Sequence, residues 1–286
     1  MVTERQSVQI VTDSTADIPA EIAAAAGIKV VPLVVRFGNQ VYRDGVDISG
    51  EEFYARLKAA PSLPTTSAPA PGAFLEVYRE AVAKGVRVLS IHLSAILSGT
   101  HNAALLAAAD FSPGQIRVVD SRNVSMAVGW IALRAAAAAR DGASLVEVAR
   151  QVDDMIPRAH LYAVLDTLEN LRRGGRIGRA AAFLGTVLSI KPIVTIAGGE
   201  VAPVEKVRTL DRALDRLVAI AQDHAPITHM AVAHTDAPDT VARLHALVST
   251  ALPGMELLTY RAGSVIGALA GPGAVALVFL RGRRGE

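Results

Sequence analysis

An α/β fold, with mostly parallel sheets flanked by helices, is predicted by three observations. Short apolar runs rich in Val, Ile and Leu alternate with longer helix-forming runs along nearly the whole chain. Several of these runs empty into Asp-Ser or Ser/Thr-rich turns, as strands do where a parallel sheet hands the chain to a helix. The chain has 286 residues, 51% of them hydrophobic, enough for two cores. Pro157 marks a boundary between residues 1–157 and residues 158–286.

Val8–Thr12 reads as the first strand, closing on Asp13-Ser14-Thr15, with a helix from about Pro19. Val30–Phe37 is a second apolar run, and Gly38-Asn39 turns it into Val41-Tyr42. Ser49 followed by Glu52 has the spacing of a capping box and starts a helix through about Lys58. After the Pro-rich stretch Pro61–Pro71 comes another helix. Val86–Leu93 then forms a strand that opens into a hydroxyl-rich turn (Ser94, Ser98, Gly99, Thr100) and a helix. Gln115–Val119 is the next strand, ending in Asp120-Ser121, and helices follow over Met126–Arg140 and Ser144–Ile156.

The second half repeats the habit. Strands are expected at Leu161–Leu165, Pro192–Ala197, Val201–Val207, His229–His234, Met255–Tyr260 and Ala274–Leu280, with Gly198-Gly199 as a hairpin turn. Helices are expected at Arg179–Leu188, Asp211–Asp223 and Pro238–Val248. Ala262–Leu280 carries no charge for nineteen residues, but Gly271-Pro272-Gly273 breaks any helix that would span a bilayer. The reading is a glycine-rich loop before a terminal buried strand.

Composition narrows the function classes. The chain has no cysteine, which removes disulfides, thiolate chemistry and Cys-based zinc sites. A net charge of +2 gives no argument for nucleic acid. No charged segment followed by an apolar core opens the chain, so a cytoplasmic location is expected. His229 and His234 lack a metal-ligand pattern, and no metal site is expected.

The Ser94–Thr100 turn gathers hydroxyls and backbone N–H groups at the start of a helix, which suits an anion. It lacks the lysine of a nucleotide-binding loop. Hydroxyls at a helix start are also ordinary caps. Asp13 and Asp120 end strands and equally suit capping or ligand binding, and no G-x-S-x-G elbow occurs. Seven histidines and many aspartates allow a Ser–His–Asp triad, but no pattern points to one. Pro64–Pro69 presents Thr65, Thr66 and Ser67 between stiffening prolines. From the residues alone, an α/β enzyme using Asp13, Ser98 or Asp120 on a small anionic substrate stays open beside a binding protein.

VTDSTADIP at the N-terminus, YRDGVDISGEEFY from Tyr42, PTTSAP at Pro64–Pro69, HLSAILSGTHNAA, VVDSRNVS, LDTLENLRRGGRIGRAAAFLGTVLSIKPIVTI from Leu165, KVRT at Lys206–Thr209 and VIGALAGPGA occur in order along the chain. In this series the chain resembles the DegV family of bacterial fatty-acid-binding proteins, which includes the lipid-binding subunit of fatty acid kinase. The resemblance implies two α/β domains with an acyl-chain tunnel. A long-chain fatty acid would be the ligand, with no cofactor and no catalytic residue in this chain. It implies that the carboxylate is held by Thr66, with Ser67 adjacent, and by Ser98, with Arg176 supporting the polar head. It also implies a kinase catalytic subunit as partner, with Arg208 of the KVRT motif meeting that partner or making a transient membrane-surface contact.

One position departs from the pattern. Family members commonly carry histidine two residues before the Gly-Pro-Gly, and here Leu269 stands in its place. A donor is replaced by an apolar group. An orphan lipid-binding or regulatory protein without a kinase partner is therefore a third reading. A hydrogen bond to a charged group contributes about 1.5–3 kcal/mol. A dozen buried methylenes contribute on the order of 10 kcal/mol before ordering costs. Lipid binding is expected to survive the change.

Overall fold

The computed structural model describes residues 7–185 and 190–283. The chain begins β1 (Val8–Asp13), α1 (Ala20–Ala25), β2 (Lys29–Val31), β3 (Val34–Phe37), β4 (Gln40–Arg43), α2 (Gly50–Ala59), β5 (Thr65–Ser67) and α3 (Pro71–Ala83). It continues with β6 (Arg87–His92), α4 (Thr100–Ala108), β7 (Ile116–Asp120), α5 (Met126–Arg140), α6 (Leu145–Met155), β8 (Ala159–Val164) and α7 (Glu169–Arg173). The remainder is β9 (Lys191–Ala197), β10 (Glu200–Val207), α8 (Leu210–Asp223), β11 (Ile227–His234), α9 (Pro238–Ala251), β12 (Leu257–Arg261), α10 (Ser264–Ala270) and β13 (Val275–Arg281).

Among the described residues the strands form three sheets. The first has the order β2-β1-β6-β7, and every neighbouring pair in it is parallel. Its central strands are buried on both faces, which is why they read as unbroken apolar runs. The second, six-stranded sheet has the order β10-β9-β8-β13-β11-β12, and only β11 and β12 run parallel. Mostly parallel pairing therefore describes the first sheet and is corrected for the second. Gly198 and Gly199, both with positive φ, fold β10 straight back on β9. The terminal β13 runs antiparallel between β8 and β11. The third sheet, β4-β3-β5, is a small antiparallel unit.

Local chemistry accounts for the element ends. Pro32 splits the expected Val30–Phe37 strand, since it lacks an N–H and the chain leaves the first sheet there for the third. The Ser49 hydroxyl accepts from the Glu52 N–H to start α2, and Ser144 and Glu147 form a full capping box on α6. The expected glycine-rich loop before β13 contains α10. Gly267 sits inside that helix because a Cβ there would lie 2.5 Å from the Tyr54 hydroxyl. Of the expected Arg179–Leu188 helix, a 3-10 stretch spans Gly178–Phe183 and residues 186–188 lie outside the described residues. The short α7 was not expected from the sequence.

The Ala-rich helix α5 joins the two large sheets, packing on β1 and β6 on one side and β8 and β13 on the other. Its buried Ala127, Ala132 and Ala135 let both sheets approach closely. Ile10, Leu89 and Ile91 of the first sheet share this core with Leu161 and Val278 of the second. Each such fully buried side chain contributes about 1.5–3 kcal/mol. The strand ends that meet beside this core frame a cavity.

A cavity between the sheets with a polar mouth

The cavity comprises about 1060 Å³ of empty space including its opening. Its walls are aliphatic: Leu93 and Leu97 after β6, Leu161 and Ala163 on β8, Val194 on β9, and Val265 and Ile266 on α10. Thr66, Ser67, Ser98, Arg176 and Leu269 also line it. Four segments far apart in sequence thus converge on one space.

The convergence has a local basis. A Cβ on Gly99 would lie 3.9 Å from the Ala68 Cβ, so the two hydroxyl turns touch. Arg176 donates from Nε to the Leu97 carbonyl at 3.2 Å and from Nη1 to the Gly174 carbonyl at 2.6 Å, tying its own turn to the Ser98 turn. Ser94 donates to the Gly199 carbonyl, pinning the same turn to the β9–β10 hairpin. Arg176 also lines two smaller depressions that open beside the cavity, one with Ser98 and one with Thr66 and Leu269. It therefore marks the mouth.

The mouth keeps hydrogen-bonding capacity. Ser98 Oγ lies 2.9 Å from Thr100 Oγ1 and accepts from the Thr100 N–H, while the Thr66 and Ser67 hydroxyls and Arg176 Nη2 have no partner among the described residues. Leu269 is half-buried in the wall, and Gly174 makes room for it, since a Cβ there would lie 2.6 Å from Leu269 Cδ2. Arg208 is elsewhere, exposed just after β10 and outside the lining of this cavity. Arg172 and Arg173 pair with Glu169, and Arg179 with Glu200.

The acids that strand-end reasoning singled out are engaged. Asp120 accepts from the Arg122 N–H at 2.8 Å and the Ala95 N–H at 3.2 Å, as a turn-stabilising group. Asp13 is fully buried and accepts from the Thr15 N–H and hydroxyl and from the Leu93 N–H. It also lies 2.9 Å from His92 Nδ1; His92 Nε2 is 2.6 Å from Ser90 Oγ, which accepts from Tyr78 at 2.7 Å. This is the connectivity of a Ser–His–Asp triad, formed by residues without a sequence pattern. Every member is 0% exposed, so no substrate reaches it. Its one legible trace was the two-residue spacing of Ser90 and His92, which puts both on one face of a strand.

A further polar cluster borders the cavity. Ser125, which lines it, is held at φ 56° and ψ −152°, a backbone region disfavoured for side-chain-bearing residues. Its hydroxyl contacts Asp17 Oδ2 at 2.5 Å and the Tyr260 hydroxyl at 2.6 Å. Burial pushes the Asp17 carboxyl up to about 7 and the Asp44 carboxyl also upward, against hydrogen bonds that pull both down. Among the described residues no group of three or more metal-ligating side chains occurs, and no helix is long and apolar enough to cross a membrane.

Comparison with known proteins agrees with this architecture. A family model described as "Uncharacterised protein, DegV family" matches residues 7–282. A DegV domain-containing protein of Streptomyces coelicolor is 41% identical over 276 residues, 95% of this chain and 97% of that one. A DegV family protein from Thermus thermophilus, described for its fatty acid binding, superposes with a TM-score of 0.90 at 35% identity, covering 96% of this chain and all of that one. DegV of Bacillus subtilis, described as a fatty acid binding protein, gives 0.88 at 32% identity, covering 97% and 100%. By sequence along nearly its whole length, and by the sheets that frame the cavity, the chain belongs to the DegV family.

Proposed function

We propose that this chain is a non-enzymatic carrier that binds a long-chain fatty acid, its tail in the cavity and its carboxylate at the mouth. The observation that carries the reading is a largely aliphatic cavity whose mouth holds donors with no partner among the described residues: the Thr66 and Ser67 hydroxyls and Arg176 Nη2, with Ser98 beside them. Each methylene that enters contributes about 0.8 kcal/mol, so the tail supplies the affinity and the mouth sets orientation. Solved relatives are described as fatty acid binding, one of them with stearic acid. In this reading residues 1–157 and 158–286 act as two lobes enclosing the tail.

The exposed carboxylate end is then presented to a cytoplasmic kinase catalytic subunit, which forms the acyl phosphate. Arg208, exposed and outside the cavity, is the docking residue for that partner, with a transient membrane-surface contact during loading. Mass spectrometry of a denatured extract of the purified protein is expected to release a long-chain fatty acid. An extract without lipid, and no binding of added stearate, would refute the carrier. Arg208→Ala is expected to abolish kinase-dependent acyl phosphate formation while leaving lipid binding intact. Leu269 favours a different reading, an orphan lipid-binding protein, because it places an apolar wall at the mouth. Failure of any acyl phosphate to form with the kinase present would select that reading.

A further inference from the structure

The cavity wall formed by α10 is fastened in an unusual way. Asp17 Oδ1 accepts from the Gly263 N–H at 2.9 Å, and Asp44 Oδ1 accepts from the Ser264 N–H at 3.0 Å. Both acids come from the N-terminal half of the chain, Asp17 from the turn after β1 and Asp44 from the end of β4. Gly263 gives them room: a Cβ there would lie 3.0 Å from Asp17 Oδ1 and 3.3 Å from Asp44 Oδ2, so the two carboxyls pack closely against its backbone. The far end of the helix is Gly271 at φ 75°, followed by Pro272 and Gly273 at φ 86°. A seven-residue wall segment is thus bounded by glycines and held at its start by the half-buried Asp17 and the buried Asp44. Its Val265, Ile266 and Leu269 face the cavity.

We propose that Asp17 and Asp44 are positioning residues that latch α10 over the cavity, and that the latch loosens as pH rises through neutrality, speeding lipid exchange. The part concerning lipid rests on the carrier reading; the latch itself does not. The ionisable groups around Asp17 are Asp13 at the end of β1, Asp44 after β4, Tyr54 on α2 and Tyr260 on β12, with Arg261 and Asp236 acting on Tyr54. Burial among these groups disfavours a charge, and the nearby acids add to that.

The sign follows from linkage. Closed, Asp17 holds its proton up to about pH 7; released into water, it returns toward its ordinary 3.8. The closed state therefore binds the proton more tightly, and deprotonation favours opening. Between pH 6 and pH 8 the open-to-closed ratio rises about tenfold from Asp17 alone. Asp44, shifted in the same direction, adds to the trend.

Two measurements test this. Amide hydrogen exchange over residues 262–271 of the full chain, corrected for intrinsic rates, is expected to lose about tenfold in protection between pH 6 and pH 8. In Asp17→Asn the pH dependence of protection is expected to shrink to the smaller part contributed by Asp44. Equal protection of the wild type at both pH values overturns the latch without needing a variant. A pH response that persists unchanged in Asp17→Asn overturns the role of that residue. Release of stearyl alcohol, which has no carboxylate to titrate, is expected to quicken by a similar factor over the same interval. If neither stearyl alcohol nor stearate binds while α10 still responds to pH, the carrier reading fails and the latch stands. If lipid binds and neither exchange nor release depends on pH, the latch fails and the carrier stands.

Discussion

Two polar clusters in this molecule use nearly the same chemistry to opposite ends. At the cavity mouth, Thr66, Ser67 and Arg176, beside Ser98, keep donors that have no partner among the described residues. In the first sheet, Asp13, His92 and Ser90 form with Tyr78 of α3 a closed chain in which each bond is made and no atom meets solvent. By connectivity alone, the closed chain is the better match to an active site. The difference is access and unused capacity: a fully partnered, fully buried network specifies a core, whereas donors without partners beside a cavity specify a ligand.

Breaking the buried chain tests that contrast most severely. Asp13→Ala removes the acceptor for the Thr15 N–H, the Leu93 N–H and His92 at once. Stranding several buried polar groups is expected to destabilise the fold by about 3–5 kcal/mol in urea unfolding. Asp13→Asn keeps the shape but puts a donor where two donors already point, and should fall between. Lipid affinity of the folded fraction should be unchanged in both. A large loss of affinity without loss of stability would instead make this network part of the site.

The mouth should respond in reverse. Arg176→Met removes a cation that faces the expected carboxylate and is expected to weaken stearate binding by about 1.5–3 kcal/mol, roughly 10- to 150-fold. Its two bonds to the Leu97 and Gly174 carbonyls contribute to the fold by only about 1 kcal/mol each. Binding should therefore fall further than stability, as titration calorimetry and thermal unfolding of the lipid-free protein would show. Binding of stearyl alcohol should fall less than that of stearate, because it brings no charge.

The same contrast explains what the sequence disclosed. The first sheet and α5 were legible because burial on both faces leaves unbroken apolar runs and because Asp141-Gly142 stops the helix where expected. Strand direction in the six-stranded sheet was not legible, since β13 reads as the same apolar run whichever strands it joins. α10 was hidden by Gly267, whose reason is the Tyr54 hydroxyl from a distant helix. Ser98 and Thr66 were legible as members of hydroxyl-rich turns, while their carboxylate role and Arg176 came only through the family resemblance; nothing in their spacing says that Gly99 meets Ala68 or that Arg176 reaches Leu97. Local pattern carries elements, and tertiary contact alone makes sites.

The smallest expected effect concerns the wall where Leu269 stands. Gly174 ends α7 at φ −71°, where alanine is conformationally allowed and would stabilise by about 0.4–1 kcal/mol through the unfolded chain. Against this, its Cβ would come 2.6 Å from Leu269 Cδ2 and 3.1 Å from the Asn170 carbonyl. Leu269 is half-buried beside open cavity, so its side chain can turn away, and the overpacking penalty falls at the low end of the usual range, about 1 kcal/mol. Gly174→Ala alone is therefore expected to be near neutral or slightly destabilising. In a Leu269→Ala background the same change should become stabilising, because the clash is gone. The difference between the two backgrounds, about 1 kcal/mol in a double-mutant cycle, measures how firmly Leu269 closes the mouth. A coupling of zero would mean that Leu269 does not press on Gly174 in solution. The apolar wall would then be no barrier between the cavity and the neighbouring depression lined by Thr66 and Arg176.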